Sequence, residues 1–224
     1  MTDMDTGKRI TVRGRDGGIS VVRQHGAGGL PHVLIHGFAE GSHVWHDLIA
    51  RLDPLPLVYT VDLRGHGDSD WDPGGLYETA DHVQDVLHIV DTLGLDRFVL
   101  VGHSLGGKIA ARLAALCAGR VRGLVIVDTE PTADPAAKAH VGAALEASLR
   151  RYGSVAEYVA HLVATRPLAS PALLEASAHC ALRRHADGGF ELKVDPRLAE
   201  AYPREEDGRE IWDSLAAATC PALI

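Results

Sequence analysis

Apolar and polar positions first alternate with a period of two. Arg9-Ile10-Thr11-Val12-Arg13 and Ile19-Ser20-Val21-Val22-Arg23 flank Asp16-Gly17-Gly18, a pattern that predicts a β-hairpin. Short, continuous apolar runs follow: Val33-Leu34-Ile35 and residues 57–61, 98–101 and 123–127 each read as a buried strand. Between them the apolar positions recur at helical spacing. Val44, Trp45, Leu48, Ile49 and Leu52 share one face behind Ser42 as a capping residue. Val83, Val86, Leu87 and Val90 do so within residues 79–93, where Gly94 ends the run, and a third helix is predicted over 108–118. Strands that are apolar throughout and alternate with helices indicate an α/β fold, doubly wound around a mostly parallel sheet with both faces covered.

The pattern changes after Glu130-Pro131. Residues 132–218 are alanine-rich and helical in period, with one strand-like run at 190–194. Ser154-Val155-Ala156-Glu157 reads as a capping box, and Ser170-Pro171 as an N-cap before a first-turn proline. Three segments are expected: an α/β core over 1–130, a helical cap insertion over 131–218, and the opening of the next core strand over 219–224.

The 224 residues carry 46% hydrophobic and 23% charged side chains, with a net charge of −8. That balance fits a globular domain and argues against nucleic acid as the main partner. Cys117, Cys180 and Cys220 are far apart and odd in number, which disfavours a disulfide framework. No apolar run is long enough for a membrane span, and a reducing cytoplasm is the expected setting. With no dinucleotide fingerprint, P-loop or H-E-x-x-H in the chain, no cofactor or metal is implied.

Chemistry concentrates at Gly102-His103-Ser104-Leu105-Gly106-Gly107. It lies between a predicted strand and a predicted helix, the setting in which G-x-S-x-G makes a nucleophile elbow. A tight turn there projects the Ser104 hydroxyl, and the helix N-terminus offers amides to a developing oxyanion.

Several ordered motifs resemble the α/β-hydrolase fold, in its capped, lipase- and esterase-like branch. They are His36-Gly37-Phe38 after the third strand, Asp62-Leu63-Arg64-Gly65-His66-Gly67-Asp68-Ser69 after the fourth, the elbow, and Val127-Asp128-Thr129 closing the sixth. The resemblance implies Ser104 as nucleophile and an oxyanion hole formed by the Phe38 and Leu105 amides. It implies supporting roles for His36, Gly37, Gly102, His103 and Gly106, with Asp62, Arg64 and His66 holding their turn. Asp128 stands where some relatives place the acid.

In that family the usual acid follows the seventh strand and the catalytic histidine the eighth. All thirteen histidines here lie at or before His185, so the base is expected in a portion beyond Ile224. Alternatively, the protein is an inactive binding or partner module, or a cap histidine (His161, His179 or His185) substitutes. The implied substrate is a small or medium apolar ester, thioester or lactone, with Leu145, Leu149, Tyr152, Tyr158, Leu162, Leu173 and Leu174 as candidate lining. An open sheet edge at the last strand is expected to self-associate or to receive a complementing chain.

Overall fold

The computed structural model describes residues 7–130, 132, 134–201 and 208–224. Residues 131, 133 and 202–207 of the predicted cap, and the N-terminal residues 1–6, lie outside the described residues. The predicted hairpin forms β1 (Lys8–Arg13) and β2 (Ile19–His25), paired antiparallel with Ile10 opposite Val22. The remaining sheet strands are β3 (His32–Ile35), β4 (Val58–Asp62), β5 (Phe98–His103), β6 (Val121–Val127) and β9 (Ala222–Leu223). Their order across the sheet is β1-β2-β4-β3-β5-β6-β9. From β4 to β9 every pairing is parallel.

Each central strand is apolar throughout because its two faces meet different layers. Val33 and Ile35 of β3, with Phe98 and Leu100 of β5, join the core made with α2 (Thr79–Thr92) and α3 (Leu105–Leu116). Leu34 and Val101 point the other way, onto Trp45 and Ile49. This is the two-faced burial expected of a parallel sheet.

The boundaries differ from the sequence reading where side chains compete for the backbone. Residues 42–52 are not one helix: Ser42–Trp45 is a 3-10 turn and α1 is the single turn His46–Ile49. Ser42 does not cap it: Gly41 takes the cap position, and Ser42 is the first residue of the turn, its amide donating to Asp62 Oδ1 at 2.7 Å. Leu48 and Leu52 are correspondingly exposed. Helix α3 begins three residues earlier than predicted, directly after Ser104.

Over the sheet lie α4 (Pro135–Ser148), α5 (Val155–Thr165), α6 (Pro171–Ala181) and α7 (Leu198–Ala201). They enclose a second apolar cluster built on Tyr152, Tyr158, Leu162, Leu174 and Leu198. Two strands interrupt these helices rather than one: β7 (Leu182–Arg184) pairs antiparallel with β8 (Phe190–Leu192). Ser154 Oγ accepts the Glu157 amide, but the Glu157 carboxylate turns to the Gly153 amide at 2.7 Å, so the box is offset by one residue. Helix α8 (Gly208–Ala217), within the predicted cap, packs instead on α3 and sends Ile211 into the sheet's core. No described helix is long and apolar enough to cross a membrane.

Candidate active site

Strand β5 runs straight into the turn at Ser104, and α3 starts at Leu105. Ser104 has φ 50 and ψ −115, a conformation costing about 1–3 kcal/mol for a residue with a side chain. Backbone bonds hold it there. Its amide donates to the Val127 carbonyl at 3.0 Å, and its own carbonyl accepts from Gly107 N at 2.9 Å and Thr129 Oγ1 at 3.1 Å. Gly102 and Gly106 are set by close approach. A β-carbon on Gly102 would overlap the Gly106 carbonyl, and one on Gly106 would overlap the Ile35 carbonyl oxygen. The pattern G-x-S-x-G therefore records α3 pressing against β3 and β5.

Leu105 opens the helix, where a first-turn amide has no partner within the helix. Phe38 lies in the loop after β3, and with Ala39 it packs against the apolar cluster of the capping helices. The structure thus brings Ser104, Leu105 and Phe38 to the same end of neighbouring strands β3 and β5. Asp128 follows β6, whose register sets Val127 beside His103. It has φ 47, is exposed, and contributes to the field that favours a charged His103.

Two histidines tie the loops together. The Leu63 amide donates to His36 Nε2 at 3.1 Å, so the ring proton sits on Nδ1, which donates to the Gly37 carbonyl at 2.7 Å. The Ala39 amide likewise donates to His66 Nε2 at 3.2 Å, and His66 Nδ1 donates to the Arg64 carbonyl at 2.8 Å. Each imidazole is therefore neutral, one acceptor and one donor. Burial lowers the His36 pKa and brings His66 down to about 3. Asp62 accepts the Ser42 and Asp68 amides, and Arg64 pairs with Asp85, Asp72 and Asp16.

Glu40 was not singled out by any motif, yet its carboxylate lies between the Gly37 amide and the His103 ring. Burial opposes its charge, but the hydrogen bond and charge of His103, with the bond from the Gly37 amide, bring its pKa down to about 2. The same hydrogen bond raises the His103 pKa, against the effect of burial. A carboxylate five residues after the end of β3 has no periodicity to reveal it; only the loop's fold brings it back.

The expected apolar lining is a packed core instead. Leu145, Tyr152, Tyr158, Leu162 and Leu174 are buried against one another, Leu149 packs on them, and Leu173 is 46% exposed. Side chains of helices that must cover their own apolar faces are consumed in doing so. A cleft between the capping helices and the loop after β3 is polar as well as apolar, lined by Glu40, His43, Tyr158, Arg166 and Lys193 among others. Among the described residues no imidazole hydrogen-bonds the Ser104 hydroxyl. His161 Nε2 is instead 3.1 Å from Ser148 Oγ, and His185 Nδ1 is 3.0 Å from Asp187.

Known proteins share the fold. The sequence model for the "alpha/beta hydrolase fold" matches residues 32–211. The chain is 32% identical over 146 residues to 2-(acetamidomethylene)succinate hydrolase of Mesorhizobium japonicum, covering 65% of this chain and 52% of that one. It is 33% identical over 206 residues to lipase LipV of Mycobacterium tuberculosis, covering 89% and 68%. The crystal structure of E-2-(acetamidomethylene)succinate hydrolase superposes with TM-score 0.84 at 27% identity, covering 97% of this chain and 80% of that one. The matched region thus spans about half the length of the first relative and about two thirds of the second. The family model covers well over half of the residues, and the chain belongs to the α/β-hydrolase fold family.

Proposed function

We propose that this chain carries the nucleophile and oxyanion portion of a serine acyl hydrolase. Ser104 Oγ attacks the carbonyl carbon of an ester, thioester or lactone, and the alcohol or thiol leaves with a proton from a general acid. Water then attacks the acyl-Ser104 carbonyl and releases the acid. The amides of Phe38 and Leu105 are assigned to the developing oxyanion, and Asp128 is the candidate acid that orients the base. A substrate with a small or medium apolar acyl group fits the apolar side chains of Phe38, Ala39 and Leu105 at the strand ends.

The observation that carries this reading is the backbone of Ser104. A strained, partly exposed serine held by neighbouring bonds has no packing role to account for it. The reading needs an imidazole at Ser104 Oγ and assigns it to a histidine supplied from outside the described residues. Treatment of the full-length polypeptide with a fluorophosphonate, followed by peptide mapping, is expected to find the adduct on Ser104. Absence of any adduct, with a folded protein, would favour the inactive binding module.

A further inference from the structure

Glu40 and His103 meet on top of the loop that carries Phe38. Glu40 Oε2 accepts the Gly37 amide at 3.0 Å and bonds His103 Nδ1 at 3.0 Å. The two side chains are 20% and 28% exposed, largely shielded from water. A β-carbon on Gly37 would stand 2.8 Å from His103 Nδ1 and 2.9 Å from Glu40 Oε2. The pair occupies the space above the Gly37 α-carbon, so a side chain at position 37 would displace it. Gly37 precedes Phe38, and His103 precedes Ser104, so this one contact joins the two segments assigned to the oxyanion hole.

We propose that Glu40 and His103 form a positioning pair, fixing the Phe38 amide relative to Ser104 and making acylation depend on the charge of His103. The inference rests on the reading of Ser104 as nucleophile. While His103 is an imidazolium, the Glu40 carboxylate is balanced. When His103 loses its proton, a full negative charge is left beside the hole in a poorly solvated site, where it opposes the oxyanion.

The groups facing His103 are Glu40 and His36 from the loop after β3, Asp128 from the end of β6, and Arg166 from the end of α5. Around Glu40 the other ionisable neighbours are His36, His43 and His66, all kept neutral by burial. Asp128 and Arg166 act on His103 in opposite senses. The proton that the pair loses as pH rises is therefore that of His103, whose hydrogen bond to Glu40 raises its pKa.

The test is the pH profile of fluorophosphonate labelling of Ser104 and of p-nitrophenyl acetate hydrolysis, measured on full-length protein with melting checked for each variant. Wild type should lose rate on an alkaline limb lying above the ordinary imidazole range. Glu40→Gln keeps an acceptor for the Gly37 amide; it should move that limb down by about one pH unit or more and lower kcat about tenfold with little change in KM. His103→Gln should remove the limb altogether, which a merely structural role would not do. The limb of the general base, at lower pH, should stay in place in both variants. Labelling with an unchanged alkaline limb in Glu40→Gln and His103→Gln would overturn the pair's role alone. If one variant fails to fold, the other decides. No labelling of wild type at any pH would overturn the Ser104 reading and the pair with it.

Discussion

Gly106→Ala is expected to remove about 3 kcal/mol or more of stability, at the upper end of what overpacking a core produces. In a domain of this size that lowers the melting temperature by roughly 6–12 °C. The added methyl would overlap the Ile35 carbonyl oxygen and stand 2.7 Å from that of His36. Both are main-chain atoms of the central strand and its exit, so no rotamer can relieve the clash. Relief requires α3 to move away from β3, which would also pull Leu105 from Phe38. Fluorophosphonate labelling should therefore fall with stability. Gly107→Ala is the milder comparison, because the nearest atoms to its methyl belong to the Thr129 side chain rather than to a strand's main chain. Rotation can carry Thr129 Oγ1 away, at the cost of its bonds to the Ser104 and Val127 carbonyls. Its β-carbon, 2.9 Å from the new methyl, must be met by a small shift of the loop after β6, and a loss of about 1–3 kcal/mol is expected. Equal melting temperatures for wild type and Gly106→Ala would refute the packing account of the elbow.

The second large effect is acid lability. Burial lowers the His36 pKa, brings His43 to about 4 and His66 to about 3, and drives His82 well below its ordinary value. In the unfolded chain these rings protonate near pH 6.5, while the native rings stay neutral. A depressed native pKa contributes stability that is complete above pH 6.5 and lost as pH falls toward the native value. His43 and His66 alone should then remove about 4–5 kcal/mol between pH 6.5 and 4.5, at ~1.4 kcal/mol per proton and pH unit, and His36 and His82 act in the same direction. Glu40, with its pKa near 2, adds a further loss below the ordinary carboxylate range. His103 has the opposite sign, since its raised pKa favours the native state on the acid side. It is one group against four.

A melting temperature measured at intervals from pH 7.5 to 4.5 should drop by roughly 10–20 °C. His82 offers a direct check. Its ring nitrogens are buried without an ordinary hydrogen bond, with the Tyr77 carbonyl nearby. His82→Leu removes one proton from the linkage without stranding a partner, so it should flatten the slope by about one proton. A melting temperature that stays level down to pH 4.5 would contradict the neutral-histidine account.

The sequence made much of the fold legible because parallel strands and covering helices impose opposite periods on apolar residues. Continuous runs such as Val33-Leu34-Ile35 announce burial on both faces, and the heptad-like spacing through Val83, Val86 and Val90 announces one-sided burial. Helix ends were less legible. Ser42 looked like a cap, but the turn starts at Ser42 itself behind Gly41, with the Ser42 amide held by Asp62 twenty residues on, a contact that no local pattern records. Helix α8 reads like its alanine-rich neighbours, and only packing separates it: Ile211 turns to the sheet while Leu174 and Leu198 turn to the capping cluster.

For the site, the chain by itself determined the chemistry on offer: a serine between Gly102 and the Gly106-Gly107 pair at a strand–helix turn, a His-Gly loop after β3, and an aspartate closing β6. Those are local statements, fixed by backbone sterics within a few residues. Tertiary structure decided what these groups do to one another. It selected the tautomers of His36 and His66 through amides of distant loops, and it buried the leucines and tyrosines that composition had offered as a pocket lining. It also brought Glu40 back over Gly37 to meet His103. Hydrogen bonding and desolvation act between neighbours in space, so the charge and orientation of each group became readable only once the loops were folded together.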